Sequence, residues 1–128
     1  MFDLAGLPLK PDQHQDGVSL KPLLTEDGAI KQRSLFWHYP HYHKTKPYGA
    51  IRSGDWKLIE FFEDGKLELY NLKEDLSEQK NLAETYPEKA AALLKEMQQW
   101  RHDVGAQEMT LNPEYNPNKQ GKAKGKTR

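Results

Sequence analysis

The stretch Gly49-Ala50-Ile51-Arg52-Ser53-Gly54-Asp55-Trp56-Lys57-Leu58-Ile59-Glu60-Phe61-Phe62-Glu63-Asp64-Gly65-Lys66-Leu67-Glu68-Leu69-Tyr70-Asn71-Leu72 decides the fold. Its aliphatic and aromatic residues come in short runs separated by glycine-containing pairs, the pattern of antiparallel hairpins. Gly54-Asp55 reads as a two-residue hairpin turn between Gly49–Ser53 and Trp56–Glu63. Asp64-Gly65 reads as a type I′ turn, which needs positive φ at both positions, before a strand over 66–72. On that last strand Leu67 and Leu69 share one face, Glu68 and Tyr70 the other. Working outward, Ser34-Leu35-Phe36-Trp37-His38-Tyr39 is a β-rich run closed by Pro40, which makes a sheet of about four strands.

Downstream, Asp75, Glu78 and Asn81 have the side chains and spacing to cap a tight turn after the last strand. Pro87 sits at a favoured first helical position, with Thr85 or Tyr86 as the cap and Glu88 at the positive end of the helix dipole. Ala90, Leu93, Leu94, Met97, Trp100 or Arg101, and Val104 keep helical spacing, and Gly105 stops the helix. Such a stripe needs a surface to cover, and the sheet offers one. The expected fold class is therefore α+β: a small antiparallel sheet packed by one C-terminal amphipathic helix, over residues 34–105.

The flanks read differently. In residues 1–33, Pro8 and Pro11 interrupt the leucine-bearing start, Asp3–Gly6 has the look of a last helical turn, and Pro22-Leu23-Leu24 suggests a short helical turn. Such a length of loop belongs to a connector from a larger neighbouring body. Residues 106–128 are expected to be an extended, largely disordered basic tail.

Composition narrows the function classes. Only 36% of the 128 residues are hydrophobic, and mean hydropathy is −0.96, so only part of the chain is core. The 19 basic and 19 acidic residues balance. The balance hides an asymmetry, because Lys119, Lys122, Lys124, Lys126 and Arg128 lie in an acid-free terminus. A basic tail of this kind, rather than a basic folded face, argues against nucleic acid as partner. No run approaches the about 20 apolar residues of a membrane helix. The chain has no cysteine, which removes disulfides, thiolate metal sites and a cysteine nucleophile.

At Arg52-Ser53-Gly54-Asp55-Trp56-Lys57-Leu58-Ile59, the acidic Gly turn Asp64-Gly65, Glu68 to Ala83 and the helix from Pro87, the chain resembles the C-terminal subdomain of type I sulfatases, of alkaline-phosphatase-like fold. Leu4-Ala5-Gly6-Leu7-Pro8 and Asp16-Gly17-Val18-Ser19-Leu20 resemble the end of that family's large N-terminal domain, so the likeness covers about residues 3–117. It implies sulfate-ester hydrolysis, here on a sulfated carbohydrate, by a parent enzyme in the periplasm or secreted. It also implies a formylglycine nucleophile and a calcium ion in the N-terminal domain, which would be this chain's partner. The formylglycine arises in a Cys/Ser-x-Pro-x-Arg motif. Ser19, Ser34, Ser53 and Ser77 all lack proline two positions on, so no catalytic residue and no metal ligand is assigned here.

The chemically richest segment is Trp37-His38-Tyr39-Pro40-His41-Tyr42-His43. Three histidines so close invite a metal reading, but Pro40 breaks the strand and no carboxylate lies nearby in sequence. Two readings stay open: a structural or solvated role, or recognition of a hydroxylated, anionic substrate by imidazole and phenol groups. Under the second, which the resemblance supports, His38 and His41 are the first substrate-binding candidates, with Tyr42 and Arg52 behind them. Rival functions are an independent sulfated-glycan-binding module and a structural, self-associating piece.

Overall fold

The computed structural model describes residues 1–13, 17–25, 28–110 and 113. Four strands, β1 (Leu35–Tyr39), β2 (Tyr48–Ser53), β3 (Trp56–Phe61) and β4 (Leu67–Asn71), form one antiparallel meander in chain order. A short helix α1 (Lys21–Thr25) precedes them and a long helix α2 (Pro87–Asp103) follows. The α+β architecture expected from the hairpin pattern is the one observed.

Register explains the core. Phe36, Ile51, Leu58 and Leu69 line up across the four strands on one face. Ala90, Leu93 and Met97 of α2 pack on that row, with Leu67, Leu82 and Leu94 around it. Ile51, Leu58, Leu69 and Met97 are completely buried. Phe36 also stacks on Trp100 with centroids 4.8 Å apart. Pro87 opens α2 after Tyr86, and Gly105 adopts φ +61° just past its end. Val104, assigned to the apolar stripe by spacing, is instead exposed, because it lies beyond the last helical turn.

The two hairpins differ. Ser53 pairs with Trp56, leaving Gly54-Asp55 as a two-residue loop with positive φ at Gly54, the type II′ pattern. The second turn is not the expected type I′. The Phe61 amide donates to the Lys66 carbonyl, and the Gly65 amide to the Phe61 carbonyl. Residues 62–65 therefore form a four-residue loop in which only Gly65 has positive φ. The reason is Phe62, whose amide leaves the hairpin to donate to the Pro47 carbonyl at 3.0 Å.

After β4, residues 72–86 fold back along the sheet edge. Asp75 accepts from the amides of Gln79 and Lys80 at 3.0 and 2.8 Å. Those two bonds hold its carboxyl below the usual range. Asn81 accepts from the Leu69 amide at 3.0 Å and donates to the Leu67 carbonyl at 3.3 Å. The edge strand β4 is thus partly capped by a side chain. Among the described residues no helix is long and apolar enough to cross a membrane.

Candidate functional site

The segment after β1 is fixed at the end of the sheet where Tyr39, Tyr48 and Phe61 align. Pro40 ends the strand, and the next turn is tight: His43 and Thr45 form an isolated bridge around Lys44, whose φ is +59°. Tyr42 Oη donates to Glu63 Oε1 at 2.7 Å. Lys46 Nζ lies 3.0 Å from Glu63 Oε2 and 3.3 Å from Asp64 Oδ2. The 40–47 loop is therefore tied to the 62–65 turn by one phenol and one ammonium. Bonds from Tyr42 and then Lys46 hold the Glu63 carboxyl below its ordinary range. The same carboxylates, Glu63 first, raise the Lys46 ammonium. His41 is exposed, its ring edge-on to Tyr39 with centroids 5.8 Å apart.

His38 does not join that exposed group. Strand alternation turns it to the α2 side with Gly49 and Glu60. Its Nε2 donates to the Gln107 carbonyl at 2.8 Å, and its ring lies against Phe62. His38 Nδ1 is buried without a hydrogen-bond partner among the described residues. Beside it, Arg101 is only 7% exposed, lies 2.8 Å from Glu60 Oε2 and stacks its guanidinium over Phe62. That contact, through Arg101 Nη1, is close but not aligned as a hydrogen bond at Glu60 Oε2, and Arg101 Nε has no hydrogen-bond partner among the described residues. Gly49 leaves the room: a Cβ there would stand 3.1 Å from the Phe62 ring and 3.4 Å from Arg101. These groups border a cleft of about 180 Å³ together with Glu108 and Met109.

Arg52 lies elsewhere. It is exposed, pairs with Leu35 at the far end of β2, and points to the face away from α2. The structure thus brings His41 and Tyr42 into one loop, turns His38 away to the helix side of the sheet, and sets Arg52 apart. Sequence reasoning missed Glu63, which orders the loop, and the Glu60–Arg101 pair. The second had a readable sign: Glu60 occupies the inward phase of a strand between Leu58 and the turn, and Arg101 sits on the helical stripe.

The chain has no cysteine, and among the described residues no group of three or more His, Asp or Glu is arranged to hold a metal.

The four-stranded sheet with its C-terminal covering helix has the α+β architecture found in the C-terminal regions of sulfatases. The chain belongs to the family described as N-sulphoglucosamine sulphohydrolase, C-terminal, whose model matches residues 1–104. A sulfatase of Formosa agariphila is 36% identical over an alignment of 98 residues that covers 68% of this chain and 18% of the relative. An N-acetylglucosamine-6-O-sulfatase of Bacteroides thetaiotaomicron is 35% identical over an alignment of 88 residues that covers 63% of this chain and 15% of the relative. In three dimensions the chain is similar to BT4656, solved in complex with its substrate D-glucosamine-2-N,6-O-disulfate. The TM-score is 0.63 and identity 30%, over 81% of this chain and 22% of that one. The chain therefore spans less than a fifth of the length of these curated relatives.

Proposed function

We propose that the chain is the non-catalytic C-terminal part of a sulfuric ester hydrolase acting on a sulfated carbohydrate, and that it presents the 40–47 loop to the substrate pocket. The observation that carries this is the tie of Tyr42 and Lys46 to Glu63, which holds an exposed imidazole, His41, at the rim of a rigid sheet. A loop fixed in this way loses little freedom on meeting a ligand. Imidazole and phenol groups suit sugar hydroxyls and a sulfate oxygen. The carbohydrate class is supported by the glucosamine sulfates named for two of the relatives. In this reading the nucleophile and the calcium ion belong to the catalytic part of the parent enzyme. That part is the expected partner, and a periplasmic or secreted location follows from the same reading.

The test is kinetic and uses the complete sulfatase polypeptide that carries this region. His41→Ala and Tyr42→Phe should raise KM about tenfold or less while leaving Tm within about 2 °C. A fall in Tm with unchanged KM would make both residues structural. Residues 1–128 alone should not turn over an aryl sulfate. Calorimetric binding of a sulfated glycan by that isolated chain would favour the independent binding module.

A further inference from the structure

Among the described residues, the non-glycine positions with positive φ are Lys44 at +59° and Glu78 at +54°. Glycine enters this left-handed region freely and asparagine more readily than most, whereas other side chains crowd the backbone there. A residue held in it calls for an account of what its side chain does. For Glu78 the account is internal. Its carboxylate meets the Lys57 ammonium at 2.6 Å, a contact that glycine or asparagine could not make.

Lys44 has no such account. It is exposed, at the apex of the turn that the His43–Thr45 bridge closes. Its side chain has no ion pair, hydrogen bond or ring contact among the described residues. The nearby carboxylates are already engaged. Glu63 accepts from Tyr42 and faces Lys46, and Asp64 faces Lys46 and accepts from the Lys66 amide. Lys46 is thus matched twice and Lys44 not at all. The turn is also anchored on both sides. Tyr42 and Lys46 tie it to the 62–65 turn, and the carbonyl of Pro47 accepts from the Phe62 amide. An unmatched ammonium is therefore held at the tip of a segment with both ends fixed, in a backbone conformation better suited to glycine. Nothing within the fold calls for a lysine there, which leaves a ligand as the reason for the side chain.

We infer that Lys44 is a specificity-determining residue that pairs with a second anionic group of the carbohydrate, a sulfate or carboxylate other than the ester being hydrolysed. This rests on the proposed function, in which the 40–47 loop borders the substrate pocket, and adds that the substrate carries at least two negative charges. The ester that is cleaved must sit at the nucleophile, which that reading gives to the catalytic part. A cation on the C-terminal rim is left to meet a charge elsewhere on the saccharide. An ammonium is a compact point charge without the planar fork of a guanidinium, so it accepts a sulfate or a carboxylate alike.

Calorimetric titration of the complete sulfatase polypeptide tests this with three probes: N-acetylglucosamine 6-sulfate, glucosamine 2-N,6-O-disulfate, and N-acetylglucosamine 6-sulfate joined to glucuronic acid. The second adds a sulfate to the single charge of the first, and the third adds a carboxylate. Lys44→Gly should weaken binding of a doubly charged probe about tenfold, the loss of one charge-assisted contact, and leave the singly charged probe within about twofold. Whichever doubly charged probe suffers identifies the anion. Lys44→Arg should keep the affinity. In residues 1–128, Lys44→Gly should raise the urea midpoint, because it relieves the turn. That separates loss of charge from loss of fold, and a lowered midpoint would make Lys44 structural and overturn the inference. Equal losses on all three probes, or no loss on any, would overturn it too. If His41→Ala still raises KM in that case, the proposed function stands without it. If His41→Ala and Lys44→Gly are both without effect, the two readings fall together.

Discussion

Arg101 shows how a charged side chain can sit inside a small core. Its guanidinium is buried against the Phe62 ring and 2.8 Å from Glu60. Losing one partner leaves the other charge in low dielectric, which costs more than the pair contributes. Arg101→Ala should destabilise the chain by about 3–5 kcal/mol, whereas Arg101→Met with Glu60→Gln should recover most of that loss. Urea unfolding of the three proteins measures it, and equal losses in single and double variants would contradict the pairing. The sequence left Trp100 and Arg101 as alternatives on the stripe. Both are used, Trp100 against Phe36 and Arg101 against Glu60, because a helix edge can face two strands at once. Tyr70 gives a second test at this scale. Burial first, then its 2.9 Å bond to Glu68, pushes its phenol up to about 12. A free tyrosine ionises near pH 10, so the unfolded chain loses that proton first. The stabilisation is complete below about pH 10 and is lost as pH rises toward the folded value. Tyr70→Phe should therefore flatten the loss of stability between neutral and strongly alkaline pH, followed by urea midpoints. An unchanged alkaline slope would show that Tyr70 does not carry it.

At the scale of elements, most of the fold was legible because local patterns and tertiary packing agree. Strand alternation, the Gly54 turn and the proline-opened helix each predicted the element that forms. The 62–65 turn was not legible. Asp64-Gly65 is a strong two-residue signal, yet Phe62 has a better use: its amide serves Pro47 and its ring fills the space above Gly49. Only the distant loop reveals that competition. The candidate site was legible in part for the same reason. The aromatic–histidine run could be read, but its division between a tied exposed loop and an inward His38 depends on the phase of β1 and on Glu63. Capping of β4 was readable as a motif and has an energetic consequence. Asn81 Oδ1 accepts from the amides of both Leu69 and Ala83, at 3.0 and 2.9 Å. Asn81→Ala leaves those amides and the Leu67 carbonyl to water at the sheet edge, a loss of about 1–2 kcal/mol in a partly exposed setting. Amide exchange at Leu69 should quicken more than at Leu58 in the centre of the sheet. A uniform change at both positions would mean that Asn81 acts on global stability rather than on the edge.

For the whole molecule, net charge is the property that the fold does not set. The chain has zero formal charge and an isoelectric point near 7.0. Five of its basic residues lie in the last ten positions with no acid among them, so residues 1–118 carry a net charge of −5. Proteins repel one another least where net charge vanishes, and solubility is lowest there. The full chain should accordingly be least soluble near neutral pH, and less sharply so in moderate salt, which screens attraction between opposite charges on neighbouring molecules. Removing residues 119–128 leaves the acidic excess unbalanced. Its neutral point must then move down to where the five histidines, and after them carboxylates, take up protons, between about pH 5 and 6. Isoelectric focusing and a precipitation scan of the two proteins should show the shift together. The acid arm of that scan is also where stability declines. Glu63 and Asp75 are held below their ordinary range by hydrogen bonds present only in the folded chain. Their contribution exists above the unfolded pKa and fades as pH falls through the folded one, from about pH 5 downward. A precipitation minimum that stays near neutrality after truncation would mean that exposed apolar surface, Trp37 and Leu76 foremost, and not net charge, governs association of the chain.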